Sequence, residues 1–282
     1  MTTLAIRNLK IFFRDRASVF FSLLAVLIII GLYAAFLGDT LVRGMPDVPG
    51  ARFLMDSWIM AGLLAVTSLT STMGAAGVVV EDRARGIAKD FQCSPLKKST
   101  IVAGYLLAAI LVGLIMTTVA LIAAQVYIVA SGGKLLPLAA LLKTVGLIVL
   151  STIASGSLVF FLTSFLKTPN AFGVASTVIG TLAGFLMGIY VPVSVLPSTV
   201  QVVVKAFPIS HAAVLLRQVM MEVPLAETFA AAPAGTAARF QEELGVIYKV
   251  GDYTLSPAHS AAVLVLSAVV FFALAVRRMM KE

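Results

Sequence analysis

Charge is scarce in this sequence. Only 12% of its 282 residues are Asp, Glu, Lys or Arg, 60% are hydrophobic, and the mean hydropathy is +1.04. A soluble globular protein carries about a quarter charged residues, so the composition excludes that class and marks an integral membrane protein. Cysteine occurs once, at Cys93, which excludes an internal disulfide and a thiolate metal cluster. His211 and His259 stand far apart with no Cys/His ligand spacing around them, so no metal site is expected. No phosphate-cradling G-x-x-x-x-G-K-[ST] occurs; the nearest echo, Gly132-Gly133-Lys134, continues with Leu135. A nucleophile elbow and a zinc helix motif are missing as well. No nucleotide-binding domain fits between the apolar runs, so this chain is not expected to bind a cofactor or to be an enzyme by itself. Ionisable residues are almost absent from those runs, with Asp56 at an outer mouth and Lys143 near an outer end. Proton- and ion-coupled carriers usually keep carboxylates or histidines inside the bilayer, and channels need a filter loop or polar ring; neither pattern is present. The formal net charge of +8 does not indicate nucleic acid here, because in a membrane protein such an excess sits on the cytoplasmic side.

The apolar runs define an all-α membrane protein with six transmembrane helices. Residues 1–16 place Arg7, Lys10 and Arg14 on one helical face and Ile6, Leu9 and Phe13 on its neighbour, the pattern of an amphipathic helix lying in the membrane interface. The following apolar run is too long for a signal-peptide core and has no small-x-small cleavage site. Span 1 is read at 17–38, span 2 at 54–80, span 3 at 99–130, span 4 at 138–166, span 5 at 171–190 and span 6 at 257–276, each long enough for the ~30 Å hydrocarbon core. The loop between spans 1 and 2 is short and holds Asp39, Arg43, Pro46, Asp47 and Arg52. Ser131-Gly132-Gly133 stops span 3, and Lys167-Thr168-Pro169-Asn170 turns the chain into span 5. Pro192, Pro197 and Pro208 each remove a backbone donor and disfavour helix before them. Residues 191–224 therefore read as a hydrophobic piece that dips back without crossing. A polar segment at 225–256 follows and carries a mobile Ala/Pro/Gly stretch, 230–238.

The most charged stretch, 81–98, lies between spans 2 and 3. Glu81, Asp82, Arg83, Arg85, Lys89 and Asp90 make it helix-compatible with mixed charge, which suits docking to a partner. Placing the termini in the cytoplasm puts 13 of the 21 Lys and Arg on that side, Lys97, Lys98, Lys167 and Lys281 among them, as the positive-inside rule requires. The polar residues inside the spans are hydroxyls and small residues. Thr67, Ser68, Thr70, Ser71 and Thr72 cluster in span 2, and Ser151, Thr152, Ser155 and Ser157 in span 4. Such hydroxyls satisfy backbone carbonyls and allow close packing; alternatively, part of the span 2 cluster faces a substrate path. Ser176, Gly180, Gly184 and Gly188 recur every fourth residue, a small-residue ridge for packing within the chain or against a second copy.

Taken together, the basic interfacial helix, the stretch Glu81…Gly86…Ser94-Pro95-Leu96…Gly104 and the proline-broken piece Pro192…Leu196-Pro197…Pro208…Leu215-Leu216-Arg217 resemble the membrane subunit of a type-2 ABC exporter. That group includes daunorubicin-type drug permeases and polysaccharide permeases. The resemblance covers nearly the whole chain. It implies a coupling helix at Glu81 to about Phe91, with Asp82, Arg83, Arg85, Gly86, Lys89 and Asp90, docking into a separate ATPase subunit that holds ATP and Mg. It implies re-entrant helices gated around Pro192, Pro197 and Pro208. It also implies a complete pore of two permease chains, the second a copy or a homologue, with two ATPases. The route would run between the chains along spans 2 and 5, past Thr67, Ser68, Ser71, Thr72, Phe185 and Tyr190, with Gly180, Gly184 and Gly188 at the packing face. The plasma membrane and outward transport follow from the resemblance alone. The apolar, hydroxyl-bearing spans favour a drug-like or lipid-like cargo; a polysaccharide or lipid-linked cargo, or a secondary carrier independent of ATP, are the alternatives.

Overall fold

The computed structural model describes residues 1–43, 48–93, 96–230, 232–233, 235–251 and 253–279. Pro46, Asp47, Ser94, Pro95 and Lys281, which carried loop, stop or topology expectations, lie outside the described residues.

Helix α1 (Thr2–Arg14) turns Leu4, Ala5, Asn8 and Phe12 toward the bundle. Ile6, Phe13, Lys10 and Arg14 are exposed, the mixed outer surface of a helix resting at the bilayer boundary. Asp15 separates α1 from α2 (Arg16–Leu32). Its carboxylate accepts hydrogen bonds from the N–H groups of Ala17 (3.0 Å) and Ser18 (3.2 Å) and from the Ser18 hydroxyl (2.6 Å), capping two orphan donors of the new helix. The first span passes through a π-helical turn at Tyr33–Leu37 into α3 (Gly38–Arg43).

Helix α4 (Ala51–Ala84) is 34 residues long. At ~1.5 Å per residue it measures about 51 Å, well beyond the ~30 Å hydrocarbon core, so it projects from the bilayer. After a break at Gly86 comes the short α5 (Ile87–Gln92), then α6 (Lys98–Ala130) and α7 (Leu138–Thr163). Thr168 caps α8 (Pro169–Leu186) by accepting the Ala171 N–H at 3.2 Å, with proline in the first turn where a missing donor costs nothing. A 3₁₀ turn (Val193–Val195) leads to α9 (Ser198–Ala206) and α10 (Ser210–Met220), which meet at an 86° bend. Helices α11 (Glu222–Thr228) and α12 (Thr236–Glu243) precede a small antiparallel ladder of β1 (Lys249–Val250) and β2 (Tyr253–Thr254), and α13 (Pro257–Met279) completes the fold.

Six helices among the described residues are long and apolar enough to cross a membrane, and the chain is an all-α membrane protein with an interfacial first helix. Helix α4 is its axis: 78% of its apolar window is buried, against 11% for the first and fifth spans. The α4 side chains Leu54, Trp58, Leu64 and Leu69 join Ala120 and Ala124 of α6, Ile148 and Val159 of α7, Ala212 and Leu216 of α10 and Leu264 of α13 in one core. A separate cluster of Leu4, Val79, Val102, Tyr105, Phe160 and Ala275 gathers α1 and the ends of α4, α6, α7 and α13 at one end of the bundle.

Two sequence boundaries are corrected. Glu81–Ala84 form the last turn of α4 rather than the start of a coupling helix, because the helix continues until Arg85 and the left-handed Gly86 (φ +80°). Within the stretch expected to be mobile, Thr236–Ala238 open α12.

Candidate functional site

At the α1 end, the break after α4 has a local cause. Gly86 adopts a left-handed conformation that side-chain-bearing residues enter only at a cost, and α5 starts beyond it. The charged residues around this break divide into two groups. Asp82 is buried, at 4% exposure. It accepts two hydrogen bonds from the Arg7 guanidinium (2.6 and 3.1 Å) and one from the Tyr105 hydroxyl (2.5 Å). Arg7 also lies 5.4 Å from the ring centre of Phe91 on α5, a cation–π contact. One carboxylate thus fastens α1, α4 and α6 together, and Arg7 extends the fastening to α5. Asp82 holds the site from inside and offers nothing to a partner, a role the sequence reading did not give it. Arg83 donates to the Thr163 carbonyl at the end of α7 (3.3 Å). Glu81 pairs with Arg85 along the helix. Arg85, Lys89 and Asp90 are exposed, and Cys93 beyond them is exposed too.

In the middle of the bundle, the hydroxyl cluster of α4 faces α6 and α7. Ser68 lies 2.6 Å from the Ser151 hydroxyl and 3.3 Å from that of Ser155. Thr67 donates to the Leu63 carbonyl and Thr72 to those of Ser68 and Leu69. Thr67, Ser68, Ser71 and Thr72 are all buried. Ser68 thus joins α4 to α7, whereas Thr67 and Thr72 bond carbonyls of their own helix. Phe185 and Tyr190 are exposed instead, their rings 5.1 Å apart. The small-residue ridge is likewise divided. Gly184 is covered by Tyr190, whose Cε2 would lie 2.1 Å from an added Cβ, and Gly188 (φ +63°) turns the chain out of α8. Gly180 alone of the three meets open space, beside the exposed Thr177 and Thr181.

At the other end, Pro192 stands before the 3₁₀ turn, Pro197 before α9 and Pro208 in the bend, so each proline sits at an element boundary. The residue that ties this region together is Arg217 on α10, 0% exposed. Its Nη2 donates to the Met187 and Gly188 carbonyls (2.8 and 3.0 Å) and its Nε to the Trp58 carbonyl (3.4 Å). The guanidinium lies 4.7 Å from the Trp58 ring centre. It therefore meets the carbonyl end of α8, where a cation is electrostatically favoured. Gly62 makes room: a Cβ there would come within 2.9 Å of Nη2. Trp58 Nε1 donates to the Leu244 carbonyl (2.8 Å), the Ser194 hydroxyl to that of Glu243 (2.6 Å) and Gln218 to that of Val246 (2.9 Å), tying the chain after α12 to α4, the 3₁₀ turn and α10. Tyr248 is buried there, and burial pushes its phenol above the usual value. Sequence reasoning quoted Arg217 without a role. The available signal was that it is the sole charge between Lys205 and Glu222, and a lone ionisable group in apolar surroundings marks a working residue.

The family model described as "ABC-2 family transporter protein" matches residues 51–277. The match spans α4 through the greater part of α13, and the chain belongs to that family. A search of curated proteins finds no match. The protein is accordingly a membrane permease component of an ABC transporter.

Proposed function

We propose that this ABC-2 family chain is the permease of an ATP-driven exporter, and that α5 with the exposed end of α4 is the handle by which a separate ATPase subunit drives it. The observation that carries this reading is the latch at Asp82. A six-residue helix on a loop could not transmit force, but α5 is held through Arg7 and Phe91 to a carboxylate that also fixes α1, α4 and α6. Arg85, Lys89 and Asp90 remain exposed on this braced element, and mixed charges of that kind set partner choice more than affinity. The α1 end is then cytoplasmic, in keeping with the basic residues that gather there, and the membrane is the plasma membrane.

The complete transporter contains two permease chains and two ATPases carrying ATP and Mg. The face left bare on the fifth span closes the route between copies. Phe185, Tyr190, Thr177, Thr181 and Gly180 lie on the fifth-span side of it. Aromatic and hydroxyl groups without a fixed charge suit an amphipathic or hydrophobic small molecule. The bend at Pro208, held by the Ser210 hydroxyl on the Val204 and Phe207 carbonyls (2.6 and 2.7 Å) while Arg217 anchors α10 to α8 and α4, supports a gate at the outer end.

The test is purification from native membranes with an ATPase assay. An ATPase subunit should co-purify with the wild type and be lost from a Lys89→Glu, Asp90→Lys double variant, both sites being exposed and outside the hydrogen bonds that Arg7 and Tyr105 make to Asp82. Retention of the subunit by that variant overturns the handle. Transport that ignores ATP and follows an ion gradient overturns the exporter.

A further inference from the structure

We infer that the cleft between α1, α2 and α4 holds one acyl chain of an anionic phospholipid from the leaflet on the α1 side. The cleft has a volume of about 300 Å³ and opens outward from the bundle. Phe12 and Phe21 form its aromatic walls, and Ser18, Ser22, Thr70 and Gly74 line the remainder.

The hydroxyls make this lining less polar than it reads. The Ser18 hydroxyl donates to Asp15, that of Ser22 to the Ser18 carbonyl and that of Thr70 to the Val66 carbonyl. Their hydrogens are spent on their own helices, so a polar headgroup entering the cleft would find no donor, whereas a hydrocarbon chain would lose nothing. Gly74 keeps the depth: a Cβ there would meet Phe12 and Ser22 at 3.8 Å, and any longer side chain would fill the space.

Charge complementarity at the elbow where α1 meets α2 selects the headgroup. Arg14 and Arg16 are exposed beside the cleft residues Phe12 and Ser18, and neither pairs with a carboxylate among the described residues. The carboxylate between them, Asp15, is already met by two N–H groups and a hydroxyl. Two cations at bilayer-surface depth therefore face outward without an anion, and each such residue favours an anionic lipid surface appreciably.

The test is native mass spectrometry of the purified full chain in a mild detergent, with phosphatidylglycerol and phosphatidylcholine offered at equal concentration. The wild type should retain one phosphatidylglycerol per chain, preferred by about tenfold. Gly74→Leu should abolish the adduct. Ser22→Leu fills the cleft from the opposite wall and serves if the first variant does not fold. Arg14→Gln with Arg16→Gln should bring the two lipids to parity. Equal retention of both lipids by the wild type, or an adduct that survives either filling variant, overturns the inference. So does a filling variant that dissociates a dimer while its lipid is unchanged, since a second copy would then occupy the cleft. The readout needs no ATPase, so its failure is distinct from failure of the exporter assignment.

Discussion

Asp82 is the residue whose role depends most on its neighbours. In sequence it stands between Glu81 and Arg83 and looks like one more surface charge. Its burial is decided by Arg7, 75 positions earlier, and Tyr105, 23 positions later, and no local pattern announces that pairing. Removing the acceptor leaves the Tyr105 phenol without its partner and the Arg7 guanidinium with only Asn8 Oδ1 (2.8 Å) and the Phe91 ring. Asp82→Ala should therefore cost about 1.5–3 kcal/mol, the range for hydrogen bonds to charged groups, and Tyr105→Phe about 1 kcal/mol. Melting of the purified chain measures both, and unchanged melting temperatures would mean that the latch carries no stability. Asp15 gives a prediction in pH. The Ser18 hydroxyl and N–H, with the Ala17 N–H, hold its carboxyl below the usual carboxylate range. A lowered folded-state value means that the cap's contribution is complete above the ordinary carboxylate pKa of about 3.9 and is lost as pH falls through the lowered value. The α1–α2 elbow, followed by spin labels at Phe13 and Ala17, should stay rigid from pH 7 to about pH 5 and loosen only below the carboxylate range. Loosening near neutrality would contradict the cap.

Among the elements, α4 links the two ends of the molecule. It carries Asp82 at one end and Trp58 near the other, and it is buried along most of its length. A rod of about 51 Å gripped at the α1 end must carry any tilt imposed there to the bend between α9 and α10. The Gly86 break decides how α5 meets that rod. Gly86→Ala leaves the surrounding space unfilled, since nothing lies within 4 Å of an added Cβ, but it places a side chain in the left-handed region at a cost of about 1–2 kcal/mol. The variant should insert and lose no more melting temperature than Asp82→Ala, while cargo-stimulated ATP hydrolysis falls below that of Tyr105→Phe; full stimulation would show that the angle of α5 does not matter. The spans themselves were legible in the sequence because ~20 apolar residues without charge have one physical solution in a bilayer. The end of span 2 was not, because charge was taken as the boundary. The helix actually continues through Glu81–Ala84 to the first residue that can turn left-handed.

For the whole molecule, one chain leaves its work unfinished. The first and fifth spans are bare on most of their surface while α4 is enclosed. Gly180 meets open space, and Thr177 and Thr181 spend their hydroxyl hydrogens on the Gly173 and Thr177 carbonyls (3.0 and 2.9 Å). That face can approach another helix closely without a desolvation penalty. In a Cys93→Ser background, Gly180→Cys should give a disulfide-linked dimer on mild oxidation, and Leu266→Cys on the exposed face of α13 should not. The reverse result would place the seam on the sixth span. The sequence showed the ridge but not its division, because whether Gly184 is free depends on where Tyr190 folds back, and that is settled by the turn at Gly188. Trp58 is the chain's one tryptophan, and it lies where α4, the Arg217 guanidinium and the chain after α12 meet. The scarcity of indole thus gives the protein a single tryptophan fluorophore, separable from its six tyrosines by excitation at the red edge, at the junction of α4, α10 and the segment before α13. Its emission should be that of a dry, hydrogen-bonded indole; water entering the seam would shift it to the red, so any loosening there can be followed in the unlabelled protein by light alone.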